Sequence, residues 1–198
     1  MKSEILSLFP TPIQKSQYFI DLSDELHYVN KIEYRSNDTN SQSVNTFVLN
    51  APELLKIKKF ILLRILEYTS EILATDSELT ITQSWINKSS SGGSHKIHNH
   101  PNSIVSGVFY LNLKSEMPQI TFYKDFCSAF SLDQKYITDF TIDYFSMIAE
   151  TGTLLLFPSH LKHSVPENKS TEDRISLSFN TFCSKSLGNI ENLTYLPL

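Results

Sequence analysis

Midway along this chain the apolar residues change their period. Leu54, Ile57, Ile61, Ile65, Tyr68 and Ile72 recur at threes and fours, the spacing that lines one face of an α-helix. From Leu79 to Asn87 the run Leu-Thr-Ile-Thr-Gln-Ser-Trp-Ile-Asn alternates in twos, as a half-buried strand does. Strand-like stretches dominate the remainder of the chain: Ile104 to Leu113, Gln119 to Tyr123, Tyr144 to Ala149, Gly152 to Phe157 and Arg174 to Phe182 are rich in β-branched and aromatic residues. A chain that is helical first and stranded afterwards is expected to pack its helices on one face of an antiparallel β-sandwich or barrel.

The first half fills in around that frame. Phe9-Pro10-Thr11-Pro12-Ile13 reads as extended, because each proline biases its predecessor away from helix. A helix is expected over about Asp21 to Tyr34, and the polar stretch Arg35 to Ser43 reads as a surface loop. The main helix has Asn50 as its N-cap and Pro52 in its first turn, with Lys58, Lys59, Arg64 and Glu67 left for its other faces. Ser89 to Ser94 is a Ser/Gly turn, and Phe126 to Thr141 a long connection. At 198 residues and 40% hydrophobic, the chain suits one domain, residues 1–198, with helical support over about 1–76 and a β core over about 77–183.

Charge and cysteine usage narrow the setting. The formal charge is -4 and no lysine- or arginine-rich run occurs, so the electrostatic footprint of a duplex-binding protein is missing. No run approaches the ~20 apolar residues of a membrane span, and Met1-Lys2-Ser3-Glu4 does not open a signal peptide. Cys127 and Cys183 lack a CxxC spacing and are expected to be reduced thiols of a cytoplasmic protein.

Five of the six histidines lie in two clusters, His95-Lys96-Ile97-His98-Asn99-His100 and His160-Leu161-Lys162-His163; His27 stands alone on a predicted helix. In an extended strand His98 and His100 share a face and can reach one metal ion, while His95, of opposite parity, should point elsewhere unless Gly92-Gly93 distorts the strand. The third ligand is expected from His163, with His160 competing. No cysteine joins the set, which disfavours a closed structural zinc site and suits an open catalytic centre. In Arg174-Ile175-Ser176-Leu177-Ser178-Phe179-Asn180 the arginine and the small polar residues share one face. Arg174 either pairs with Glu172 or Asp173 at a rim, or anchors a ligand carboxylate by bidentate bonds with Ser176 beside it. Trp85, Phe109 and Phe122 either line a pocket or pack in the core.

His98-Asn99-His100-Pro101, Ser106-Gly107-Val108-Phe109-Tyr110-Leu111-Asn112, Phe157-Pro158-Ser159-His160-Leu161-Lys162-His163 and Arg174-Ile175-Ser176 together resemble the 2-oxoglutarate/Fe(II)-dependent oxygenases. The nearest likeness is to a bacterial and phage group with an early Phe-Pro-Thr-Pro and a Ser-Trp before the metal motif, here at Phe9 to Pro12 and Ser84-Trp85. The motif order is that of the prolyl-hydroxylase branch. The resemblance implies a double-stranded β-helix, a cupin-like jelly roll, holding Fe(II) by His98, His100 and His163. It implies 2-oxoglutarate on Arg174, Tyr110 and Ser176, with O2 as the second co-substrate. The expected reaction is hydroxylation of a small molecule or protein side chain, with release of succinate and CO2, in a bacterial cytoplasm or, for a phage protein, that of its host. No protein general base is expected. The family has a carboxylate where this chain has His100; Asp125, Glu150 and Asp173 are the carboxylates that could replace it. Two other readings stay open: a metal-binding cupin-like enzyme that does not use 2-oxoglutarate, and a non-catalytic jelly-roll binding module. An exposed strand edge could pair two subunits into a homodimer.

Overall fold

The structure, a computed structural model, describes residues 3–125 and 132–198. Cys127 and the start of the expected Phe126–Thr141 connection lie outside the described residues; residues 132–141 hold turns and irregular backbone.

The helical part is shorter than its periodicity suggests. Strand β1 (Gln14–Gln17), unexpected from the sequence, follows the proline segment. Helix α1 covers only Ser23–Val29, and Asp21 binds the Ser23 amide and hydroxyl at its start. Tyr34 is not helical. It opens β2 (Tyr34–Asn37), which forms a hairpin with β3 (Asn40–Ser43) across Asp38, a left-handed residue of φ 56°. The expected surface loop is thus a pair of strands. Polar side chains hid them, because their register comes from backbone pairing with the next strand rather than from apolar alternation.

Two short 3₁₀ turns, Val48–Asn50 and Pro52–Leu54, lead into α2 (Leu55–Glu67). Asn50 does not cap this helix; its side chain accepts from Lys58 Nζ at 2.9 Å. Leu54, Ile57, Ile61, Ile65 and Tyr68 form the expected buried stripe. Ile72 leaves it and is 38% exposed, because the chain widens into a π-turn over Tyr68–Ile72 and an extra residue per turn rotates it off the stripe.

The strands expected in the second half are present: β4 (Leu79–Ser89), β5 (His95–His98), β6 (Val105–Asn112), β7 (Thr121–Tyr123), β8 (Tyr144–Ser146), β9 (Thr153–Pro158), β10 (His163–Val165) and β11 (Arg174–Cys183). All pair antiparallel. The large sheet runs β1-β9-β6-β11-β4-β3-β2 and the small one β5-β10-β7-β8, while β12 (Ser186–Leu187) and β13 (Leu196–Pro197) form a separate two-stranded pair. From β4 to β11 the chain passes back and forth between these sheets, which is the expected jelly-roll, double-stranded β-helix architecture.

The pleat of the large sheet divides the core in two. Phe109, Leu154, Leu156, Leu177 and Phe179 point outward and pack under α2 with Ile57, Ile61 and Ile65. Val108, Tyr110, Leu155 and Phe157 point inward and meet Ile120 and Phe122 of the small sheet's side. Burying both faces explains why β6 and β9 read as nearly continuous apolar runs. Among the described residues no helix is long and apolar enough to cross a membrane.

Candidate metal centre

The inner face of the jelly roll brings the two histidine clusters together. Strands β5 and β10 pair with His98 directly opposite His163. Beyond His98 the chain stays extended, and the His100 amide donates to the Ser159 carbonyl at 2.9 Å, tying it to the turn before β10. The ring centroids of His98 and His163 are 4.3 Å apart, those of His98 and His100 5.2 Å, and those of His100 and His163 5.1 Å. One nitrogen from each ring lies within 4.8 Å of the others, close enough to share an ion.

Hydrogen bonds prepare these rings for coordination. His98 Nδ1 lies 2.8 Å from the Lys96 carbonyl, and His163 Nδ1 3.0 Å from that of Leu161. A carbonyl only accepts, so each Nδ1 carries the proton and each Nε2 offers its lone pair. Burial pushes the His163 imidazole down to about 3 and that of His100 down to about 4, with neighbouring His98 adding to both shifts. Both rings are neutral near pH 7, as metal ligation requires.

His160 is exposed and stays outside the group. His95 departs from the expected parity. Its ring stacks on His98 at 4.2 Å and lines the same cleft. The cause is a bulge: His163 to Val165 spans two residues where the opposing His98 to His95 spans three, and the extra residue returns His95 to the inner face. Among the described residues no carboxylate joins the triad. Asp125 lies 3.9 Å from Lys162, Asp173 binds Lys88 and Ser90, and Glu150 is exposed.

Beside the triad, Arg174 opens β11 and is only 3% exposed. Its Nε donates to the Pro118 carbonyl at 3.1 Å and its Nη1 reaches Ser176 Oγ at 3.5 Å. Its Cζ sits 5.1 Å from the Tyr110 ring centroid. The rim alternative fails: Glu172 pairs with Lys114 and Asp173 with Lys88, and among the described residues no carboxylate pairs with Arg174. Register explains the grouping, since Ser176 stands opposite Tyr110 on β6 and Asn87 on β4. The Tyr110 hydroxyl is fully buried beside the guanidinium, with no other partner among the described residues. Burial raises the Tyr110 phenol against the opposing pull of the guanidinium, and lowers Arg174.

His95, His98, His100, His163 and Arg174 line one small cleft, open to solvent, with Trp85 and Asn87 on its wall. The Trp85 ring is 5.9 Å from His100, and Phe122 packs against His163 and Phe157. Phe109 instead sits in the helix-side core with Tyr18 and Phe60. Sequence reading missed Asn40 and Asn87. Asn87 Nδ2 donates to Ser178 Oγ at 3.1 Å, and its buried Oδ1 has no partner among the described residues. The inward parity of β4 set by Trp85 would have flagged Asn87, whereas Asn40 depends on the hairpin that polarity concealed.

Residues 83–180 match the family described as "Putative 2OG-Fe(II) oxygenase". No curated protein matches the sequence. Among solved structures, HygX from Streptomyces hygroscopicus with nickel, 2-oxoglutarate and hygromycin B is 10% identical, with a TM-score of 0.64 over 88% of this chain and 84% of that one. The epimerase SnoN in complex with Fe3+, alpha ketoglutarate and nogalamycin RO is 12% identical, with a TM-score of 0.65 over 94% and 86%. A Pseudomonas putida prolyl-4-hydroxylase is 14% identical, with a TM-score of 0.59 over 86% and 92%. At such identities the likeness speaks for the fold.

Proposed function

From a chain whose residues 83–180 belong to the 2OG-Fe(II) oxygenase family, we propose a hydroxylase in which His98, His100 and His163 hold Fe(II) and Arg174, Tyr110 and Ser176 hold 2-oxoglutarate. The observation that carries this reading is the buried Arg174, which has no carboxylate partner among the described residues and lies beside the buried Tyr110 hydroxyl. A buried guanidinium without a counter-charge is costly, and a ligand carboxylate would neutralise it while accepting a hydrogen bond from the Tyr110 phenol. The donor set also fits: three neutral imidazoles leave coordination positions free for a chelating keto acid.

When bound, iron and 2-oxoglutarate supply the oxidising power, with O2 consumed, succinate and CO2 released, and one oxygen atom going to a substrate C–H bond. The protein's own residues position the reactants. Backbone carbonyls of Lys96 and Leu161 fix two imidazole tautomers. Pro118 and Ser176 aim the guanidinium, and Phe157 and Phe122 shield the inner side of His163 from water. His100 in place of a carboxylate leaves the centre one negative charge short, which the dianionic co-substrate offsets. In this reading residues 1–198 act as one oxygenase domain. The substrate is a small molecule, as in the HygX and SnoN complexes, or a protein side chain. The setting is the cytoplasm, where Fe(II) and 2-oxoglutarate are at hand.

The test is anaerobic. Fe(II)-loaded protein should develop a visible charge-transfer band on adding 2-oxoglutarate, and should form succinate slowly once air is admitted. Arg174→Ala should weaken 2-oxoglutarate binding about 10- to 100-fold, the scale of a lost charge-assisted bond, while metal content stays unchanged. A metal-loaded protein showing neither band nor succinate would defeat the proposal in favour of a metal enzyme that does not use the keto acid.

A further inference from the structure

The three histidines of the centre are not held alike. His98 and His163 stand on paired strands, and a backbone carbonyl fixes each of their rings. His100 lies past the end of β5, and among the described residues its ring has no such bond. The chain turns immediately after it, at Pro101 and Asn102, the latter with a left-handed φ of 56°. A ligand at the start of a turn stands where the turn is held. Ser159, in the turn between β9 and β10, meets this segment at three points. Its carbonyl accepts from the His100 amide at 2.9 Å, its amide donates to the Ile104 carbonyl at 3.1 Å, and its hydroxyl lies 2.7 Å from that of Ser103.

The third contact differs from the other two, because a side chain makes it. The Ser159 hydroxyl also lies 2.8 Å from that of Ser106 on β6, which is 2.9 Å from Asn180 Oδ1 on β11. Ser103 Oγ reaches the backbone of Thr181 on β11 at 3.2 Å. Ser106 and Ser159 are each 1% exposed. Buried hydroxyls cost free energy unless each is bonded, and alanine would fill nearly the same space without needing partners. What a linked set of hydroxyls adds is fixed geometry. Here it ties the turn after His100 and the turn before His163 to the sheet that carries Arg174. We propose that Ser159 is a positioning residue: its hydroxyl, clamped between Ser103 and Ser106, sets where His100 stands in the metal centre. The proposal rests on the triad reading. Ser159 is not among the residues lining the cleft, so its effect passes through His100. The identity of that ligand gives the clamp its purpose. A carboxylate can meet an ion through either of two oxygens, whereas an imidazole must bring one ring nitrogen into line, and its backbone has less freedom to stray.

Metal titration of the full chain tests this without any substrate. The unaltered protein should bind Co(II) with a visible d–d spectrum, and should bind Ni(II) in a calorimeter. Ser159→Ala should keep the circular dichroism spectrum of the metal-free protein, change the Co(II) spectrum and weaken Ni(II) binding about tenfold, the scale of losing a group that orients a ligand. Ser103→Ala removes the same contact from a half-buried position and should act alike, so the test stands even where the buried substitution prevents folding. In a His100→Ala background, Ser159→Ala should change Ni(II) affinity by no more than about twofold, because the ligand it positions is gone. Unchanged spectrum and affinity in the serine variants would overturn the proposal and leave the hydroxyl cluster to the fold alone. An equal loss in both backgrounds would also overturn it, since Ser159 would then act on the site without His100. Unaltered protein that binds neither ion would instead refute the triad itself, and the positioning role with it.

Discussion

His163 and His100 show how burial makes a ligand ready and an acid-labile site at once. Their imidazoles sit near 3 and 4, mainly because burial disfavours the charged form, against an ordinary value of about 6.5. Between those values the unfolded chain takes up protons that the folded site refuses. Stability of the metal-free protein therefore falls as pH drops below about 6.5, by about 1.4 kcal/mol per pH unit for each ring, until the folded rings protonate as well. Denaturant titrations at neutral pH and at about pH 5 should show this loss, and His163→Gln should reduce it. An equal loss in both proteins would mean that other groups carry the acid sensitivity. At this scale the sequence was largely legible. His98 and His100 were placed together by parity, and Arg174, Ser176 and Ser178 share one face as their alternation required. His95 was misjudged because a bulge is a property of two strands and leaves no mark in one.

Strands β5 and β10 set His98 against His163, and their placement rests on close packing within the large sheet behind them. Gly107 in β6 is the tightest point. A methyl group there would collide with the Phe179 ring and approach Leu156 Cδ2 at 2.8 Å, on strands that flank β6 on both sides. Neither side chain has room to retreat, since both are buried. Gly107→Ala is expected to destabilise the fold by about 1–3 kcal/mol through overpacking. Chemical denaturation measures it, and a neutral result would show that β6 and β11 can shift apart. Among the elements that escaped sequence reading were β1 and the β2–β3 hairpin. Their residues are mostly polar, and their extended form is held by ladder bonds to β9 and β4, partners far away in the chain. The expected helix from Asp21 to Tyr34 lost its last turns to that same hairpin.

Across the whole molecule, the proposed metal and co-substrate sites belong to different sheets. Two of the three histidines come from the small sheet, while Arg174, Ser176 and Tyr110 come from the large one. Arg174 is the one charged side chain lining the cleft among the described residues. A divalent ion entering alone meets that cation with no protein carboxylate to balance it, and a dianion relieves both. Ni(II), which is redox-silent here, should therefore bind about 5- to 150-fold more tightly with 2-oxoglutarate present, and the reverse coupling should be equal. His100→Asp should tighten binding of the metal alone and shrink the coupling. Calorimetric titrations in both orders test this, and a metal affinity indifferent to 2-oxoglutarate would sink it.

The strand-rich second half, the core stripe of α2 and the inward face of β11 were all determined by the sequence alone. Each depends on the local period of apolar residues, a property of neighbours in the chain. Even the histidine clusters could be read as one centre, because alternation and flanking apolar runs constrain where a side chain points. Tertiary structure decided the rest: His95 turned inward, Arg174 denied a carboxylate, the polar hairpin recruited as strands, and the outer leucines of α2 left bare. These depend on which distant segments become neighbours and on how much surface those neighbours can cover, and no local period encodes either.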